Sequence, residues 1–417
     1  MRKHNWKSAT SPGRALTIAL LSTLLMTQSA HAQPQFEVIY NFTGGRDGAN
    51  PGSALTMSAR GVLYGTTDGG GDGYGGVFEL KPSGSGWILN PLYSFTGGTD
   101  GGMPFGALVI GPDGSLYGVT EFGGTSNVGV VYNLRPGPTV CKTALCGWNE
   151  TVLYTFGGHS DGSYPEGRIL FDRAGNMYGT TTDYLTGSNG TVWKLTPSGG
   201  GWSKTILYSF NGPLNDGRLP DSGVISDSTG NLYGTTAAGG STDNGAVFQL
   251  MPSGSGWTEN LLYSFQGGND GDIVFAGLIF DPAGNLYGAS SNDGSIGGGA
   301  VFEMTPSEGG WAFKPPLYGL PGIRGYEGGP RDSLTMDSTG NLYGTRVGNA
   351  APNDYGSVFK LTFSGGSWTY TSLHDFTGGS GGGYPFGTVV LDSAGNIFGT
   401  ASVGGTDGKG VVFEITP

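Results

Sequence analysis

Histidine and cysteine chemistry has almost no material in this chain, so carboxylates, arginines and aromatic rings are the first candidates. Of four histidines, His4 and His31 lie in a basic leader, which leaves His159 and His374. That is too little for a histidine metal site or a Ser-His-Asp arrangement. A carboxylate pair for glycoside hydrolysis is possible, but 32 acids always supply some pair, so the signal is unspecific. Five of the loops that join one repeat copy to the next carry Asp-Gly, at Asp47, Asp100, Asp161, Asp216 and Asp270, and offer oxygen ligands that calcium accepts. Each belongs to a separate repeat copy and Asp-Gly is an ordinary turn, so the turn reading is favoured. A sharper pattern appears nine residues ahead of a recurring turn glycine. There the copies read Gly52, Phe105, Glu166, Asp221, Phe275, Arg331 and Phe386. Two residues later, Arg168 replaces Ala54, Ala107, Gly223, Gly277, Ser333 and Thr388. Aromatic faces beside opposed charges suit a sugar or another small polar ligand. Departures from a local rule cluster at functional sites, although residues at a solvated loop also vary freely.

A repeat positions these residues. The turn glycine recurs at Gly61, Gly114, Gly175, Gly230, Gly284, Gly340 and Gly395, at intervals of 53, 61, 55, 54, 56 and 55 residues. Its best copies are Asp227-Ser-Thr-Gly-Asn-Leu-Tyr-Gly-Thr-Thr236 and Asp281-Pro-Ala-Gly-Asn-Leu-Tyr-Gly288. Aspartate caps the backbone ahead of it, glycine supplies φ > 0, and the residues that follow favour a strand. Each copy carries four strand-like segments, here called a to d: in the Gly230 copy, 223–226, 232–236, 246–250 and 257–265. Glycine and proline interrupt the chain too often for helical periodicity.

Four antiparallel strands per copy predict an all-β, seven-bladed β-propeller. The ends complement one another. Residues 36–42 supply a d-like strand without its partners, and the chain finishes on b (397–401) and c (411–416). The N-terminal strand is therefore expected to complete the last blade. The strand-b glycine (Gly65, Gly118, Gly179, Gly234, Gly288, Gly344, Gly399) is expected to admit a large side chain from the next blade. Tyrosines and tryptophans read as packing rather than as a carbohydrate platform. The d–a and b–c loops vary and share one face, so a site is expected there. The sixth copy departs most and adds Arg324, Tyr326, Glu327, Asp332 and Arg346 on that face.

Residues 1–32 read as a secretory signal peptide: Arg2, Lys3, Lys7 and Arg14, an apolar run from Ala15 to Met26, and Ala30-His31-Ala32 before a cut at Gln33. The propeller is then 33–417, secreted to the periplasm or cell exterior. Losing the leader takes the net charge from −12 to −16, which argues against nucleic acid and anionic membranes as partners. Cys141 and Cys146 lie in the insertion that lengthens one interval to 61. In an oxidising compartment they are expected to form a local disulfide.

The repeated Gly-Asn-Leu-Tyr-Gly-Thr-Thr, with Gly-Ala-Val-Phe-Gln-Leu and Leu-Tyr-Ser-Phe after it, resembles the GloVer tandem repeat of exported bacterial proteins across residues 36–417. The Asp-x-x-Gly-Asn-Leu-Tyr pair is also similar, more weakly, to NHL-type propellers. The resemblance attaches no reaction. In that family such arrays often precede a cell-surface anchor, and no sorting motif follows here, so no anchoring is expected. The reading is a monomeric binding module without cofactor, whose partner is a glycan or a surface protein and which does not insert into membranes. A carbohydrate-active enzyme using loop carboxylates and a structural surface protein are the alternatives.

Overall fold

A computed structural model describes Met1 and residues 34–137, 148–185, 187–212, 216–348 and 354–417. Cys141 and Cys146 lie outside the described residues, as does nearly all of the expected signal peptide. From Pro34 onward the chain is one compact unit, built of antiparallel sheets with a–b–c–d strand order. In the fourth blade the strands are Ile225–Ser226, Leu232–Thr236, Ala246–Ser253 and Gly256–Ser264. Strand a is shorter than the sequence predicts. Upstream of Ile225 the backbone faces the neighbouring blade instead, and the Ser222 carbonyl accepts the Thr180 hydroxyl at 2.8 Å. No helix among the described residues is long and apolar enough to cross a membrane.

The ring closes as the two ends predict. Gln35–Asn41 pairs antiparallel with Val411–Thr416, which pairs with Ile397–Ala401 and then Val390–Leu391. The same seam carries a hydroxyl bond, Thr400 donating to the Ser53 carbonyl at 3.0 Å. Equivalent threonines join other blades: Thr235 to Ala276 at 2.9 Å and Thr345 to Gly387 at 3.1 Å. Strand d of the fifth blade is split into Gly310–Phe313 and Tyr318–Pro321. Pro315 and Pro316 fall in the gap, where two missing N–H groups cannot continue a ladder.

The glycine on strand b does accommodate a large ring, but from its own blade. Gly234 pairs across the ladder with Phe248, and a Cβ on it would lie 2.5 Å from the Phe248 ring. The partners elsewhere are Phe78, Tyr132, Trp193, Phe302, Phe359 and Phe413, each directly opposite on strand c. Directly paired Cβ positions are only about 5 Å apart, so the nearest large neighbour of a strand-b residue is on strand c. The preceding blade contributes the phenylalanine that ends strand d. It meets that ring edge to face: Phe42 on Phe78 at 5.2 Å, Phe210 on Phe248 at 5.1 Å, Phe376 on Phe413 at 5.4 Å. At the interface between the fifth and sixth blades Leu320 takes this place beside Phe359. Such aromatic pairs contribute about 0.5–1.5 kcal/mol each beyond the area they bury.

The remaining repeated side chains hold turns. Asp227 Oδ1 accepts the backbone N–H groups of Thr229 and Asn231, while Oδ2 accepts Asn231 and the Tyr233 hydroxyl. The Asp-Gly aspartates do the same in the d–a loops. Asp47, Asp100, Asp161, Asp216 and Asp270 each accept the hydroxyl of the strand-d tyrosine, at 2.7–3.1 Å. Each also accepts a backbone N–H, as from Thr43, Thr96 and Gly157. These aspartates are turn residues, which accounts for the tyrosine of Leu-Tyr-Ser-Phe as well.

Candidate functional site: the mouth of the central channel

The chain passes from each d–a loop into strand a through a residue in the left-handed region. Asn50, Met103, Tyr164, Leu219, Ile273 and Tyr384 all have φ between 52° and 58°. A non-glycine residue there is strained, and persists only where the surroundings over-determine it. Here both backbone groups are held. The Met103 N–H donates to the Tyr74 carbonyl of the previous blade, and its carbonyl accepts the Glu121 N–H of its own. Tyr384 repeats this with Tyr355 and Ser402. In the sixth blade Gly329 stands at this place. The clamp lies two residues ahead of the variable position, and so aims that residue at the axis.

Those seven variable residues meet. Gly52, Phe105, Glu166, Asp221, Phe275, Arg331 and Phe386 all line one cavity of about 410 Å³ at the channel mouth, with Arg168 among its walls. The walls deepen in tiers along the strands. Below the mouth ring stand the small residues of the Arg168 position; below them Val109, Leu170, Ile225, Ile279, Thr335 and Val390 make a mostly apolar floor.

Glu166 and Asp221 share a hydrogen bond. Burial, then the Asp221 charge beside it, pushes the Glu166 carboxyl well above its ordinary range. Asp221 is also raised by burial, against the opposing effects of that hydrogen bond and of Arg331. The two therefore hold a proton between them to higher pH than an isolated carboxyl would. Arg331 lies over the Phe275 ring, its guanidinium carbon 4.2 Å from the centroid, and pairs with Glu327 at 2.5 Å. Arg168 is solvent-accessible by surface area yet enclosed by protein. Its exposed surface opens on the channel. Burial lowers its proton affinity and the field of Asp332 partly restores it.

Of the sixth-blade additions only Asp332 reaches the cavity beside Arg331. Arg346 is paired with Asp354 at 2.9 Å, and Arg324 donates to the Gly294 carbonyl. The tryptophans pack: Trp193 is fully buried, and Trp202, Trp257, Trp311 and Trp368 lie against blade cores. Two acids beside the mouth escaped the sequence reading. Asp68 is pushed up to about 7 by burial and the neighbouring Glu121. Glu121, itself raised by burial and by the Asp221 charge, accepts the Tyr184 hydroxyl and acts on Glu166. Both stand seven residues after the turn glycine, where other copies carry Thr182, Ala237, Ser291, Val347 and Ser402. The alignment that found the mouth ring would have found them, had it been carried past strand b.

Fold and cavity together define a closed seven-bladed propeller with a ligand-sized pocket on the axis. The chain belongs to the Gloeobacter/Verrucomicrobia repeat family, whose profile matches residues 25–148 and 135–318. It is similar to a Paenibacillus sp. xyloglucanase, 23% identical over 381 residues, covering 86% of this chain and 30% of that protein. The chain thus spans under a third of that relative's length. Among solved structures, an ulvan lyase of polysaccharide lyase family PL25 superposes with a TM-score of 0.51 at 10% identity, over 88% of this chain and 93% of the other. A putative 6-phosphogluconolactonase from Bacteroides uniformis gives a TM-score of 0.48 at 15% identity, over 78% and 85%.

Proposed function

We propose that the protein is an exported binding module whose channel-mouth cavity takes a carbohydrate or another small polar ligand. One observation carries this reading. The seven positions where the repeat abandons its own rule converge on a single cavity, with three phenylalanines, a proton-sharing carboxyl pair and an arginine on its rim. Positions that serve only the fold, such as the strand-b glycine, are alike in all seven copies, whereas these seven differ in charge and in ring content. Ring faces stack on sugar C–H surfaces while the charged groups bind hydroxyls. The similarity to a xyloglucanase supports a carbohydrate-related role. Export is supported by the basic and apolar leader ahead of Gln33, and N-terminal sequencing of the mature protein tests it.

A glycan array on the intact protein, followed by affinities of Phe275→Ala and Arg331→Ala for the best ligand, tests the cavity. Both variants should bind at least about tenfold more weakly, on the scale of a lost stacking or charge-assisted contact. Unchanged binding in both, with folding intact, removes the cavity from consideration. The Glu166–Asp221 pair favours a second reading, a carbohydrate-active enzyme, since a proton held at a carboxyl is what a general acid needs. Release of reducing ends from xyloglucan by the parent but not by Glu166→Gln would establish it.

A further inference from the structure

One pleat below the mouth ring the channel wall is made of small residues in six blades and of Arg168 in the third. A long cation thus projects into a shaft whose other side chains at that depth are too short to meet it. The neighbouring cations are committed: Arg331 to Glu327, Arg346 to Asp354. Among the described residues Arg168 has no ion pair and no side-chain hydrogen bond. Asp332, the carboxylate acting on it, is turned elsewhere. Its oxygens accept the backbone N–H groups of Ser333 at 2.6 Å and Thr388 at 3.2 Å. The Arg168 guanidinium, with five N–H donors, thus stands at the cavity wall without a protein acceptor.

We propose that Arg168 anchors the carboxylate of an acidic sugar, a uronic acid residue, that enters the cavity from the mouth. The inference rests on reading the cavity as a glycan site. A guanidinium and a carboxylate match in two parallel N–H···O bonds, and the phenylalanines above provide a face for the sugar ring. At this depth one negative charge is accommodated more readily than two, because Asp332 acts on the same arginine and like charges in an enclosed site repel. The carboxyl pair at the rim does not forbid an anion. Burial and their mutual hydrogen bond shift the pair toward its protonated form, which lessens its repulsion of an anion.

Calorimetry on the intact protein tests this with short oligosaccharides ending in galacturonate or glucuronate, each against its neutral galactose or glucose counterpart. The acidic series should bind at least about tenfold more tightly at low salt, and the difference should shrink as salt rises. Arg168→Gln should cost the acidic series about 10- to 100-fold and leave the neutral series unchanged; Arg168→Lys should restore only part. The parent's acidic-to-neutral ratio needs no variant, so poor folding of Arg168→Gln does not shield the idea. If neutral sugars bind through Phe275 and uronates bind no better, the carboxylate anchor is wrong and the glycan site stands. If neither series binds, both are wrong.

Discussion

Gly234→Val separates local preference from tertiary packing, because the two predict opposite signs. Valine is among the best strand formers and glycine among the worst, a difference of about 1 kcal/mol in favour of the variant if nothing else mattered. The structure places a Cβ at position 234 only 2.5 Å from Cζ of Phe248 and 2.8 Å from Cε1. Phe248 is fully buried and meets Phe210 of the previous blade at 5.1 Å, so it cannot retreat without opening that interface. Overpacking of this kind costs about 1–3 kcal/mol or more, and two valine methyls place it at the upper end. Against the propensity gain, a net loss of about 2 kcal/mol is expected, a fall of a few degrees in melting temperature for a chain of this size. Thermal and urea unfolding of Gly234→Val, Phe248→Leu and the double variant measure it. The double variant should be less destabilised than the sum of the two singles, with a coupling on the order of 1 kcal/mol. A single variant that melts at or above the parent, or strict additivity, would refute the cross-strand contact as the reason for this glycine.

Other consequences concern the seam and the acids. Thr400→Val should leave the buried Ser53 carbonyl without its donor and lower stability by about 1 kcal/mol, read as a shifted urea midpoint. Burial pushes the Asp337 carboxyl up, but hydrogen bonds from Asn341 and Thr339 outweigh it and take it to about 2. A depressed carboxyl stabilises the fold above its unfolded value and loses that contribution as pH falls through its folded value. Asp337→Asn should therefore cost about 1 kcal/mol at pH 7, discounted for solvent screening, with the gap closing between about pH 4 and pH 2. Asp68 has the opposite sign: its carboxyl is raised to about 7 by burial and Glu121, and its buried Oδ1 has no hydrogen-bond partner. Parent stability should fall as pH rises from about 4 to about 7, so Asp68→Asn should melt higher than the parent at pH 8 and alike at pH 4.

Much of the fold is legible in the sequence, for a physical reason. A propeller repeats one supersecondary unit, so each local rule is written seven times, and turn chemistry stands out against varied loops. The Asp-x-x-Gly-Asn turn, the four strands per blade and the closure by residues 36–42 depend on local hydrogen bonding and on counting strands. The same alignment exposed the mouth ring, because positions at equal offsets must lie at equal depth on the axis. What needed the tertiary structure was pairing and direction. That the strand-b glycine faces its own strand c depends on which ladder is adjacent. That Leu-Tyr-Ser-Phe sends its tyrosine to the d–a aspartate and its phenylalanine to the next blade depends on where the loop folds back. The left-handed clamp at Asn50, Met103, Tyr164, Leu219, Ile273 and Tyr384 has no signature in side-chain type, since backbone groups from two blades impose it. Electrostatics belongs to the same class. Glu166 and Asp221 are 55 residues apart in sequence, and only the ring brings two adjacent blades close enough for one proton to serve both carboxyls.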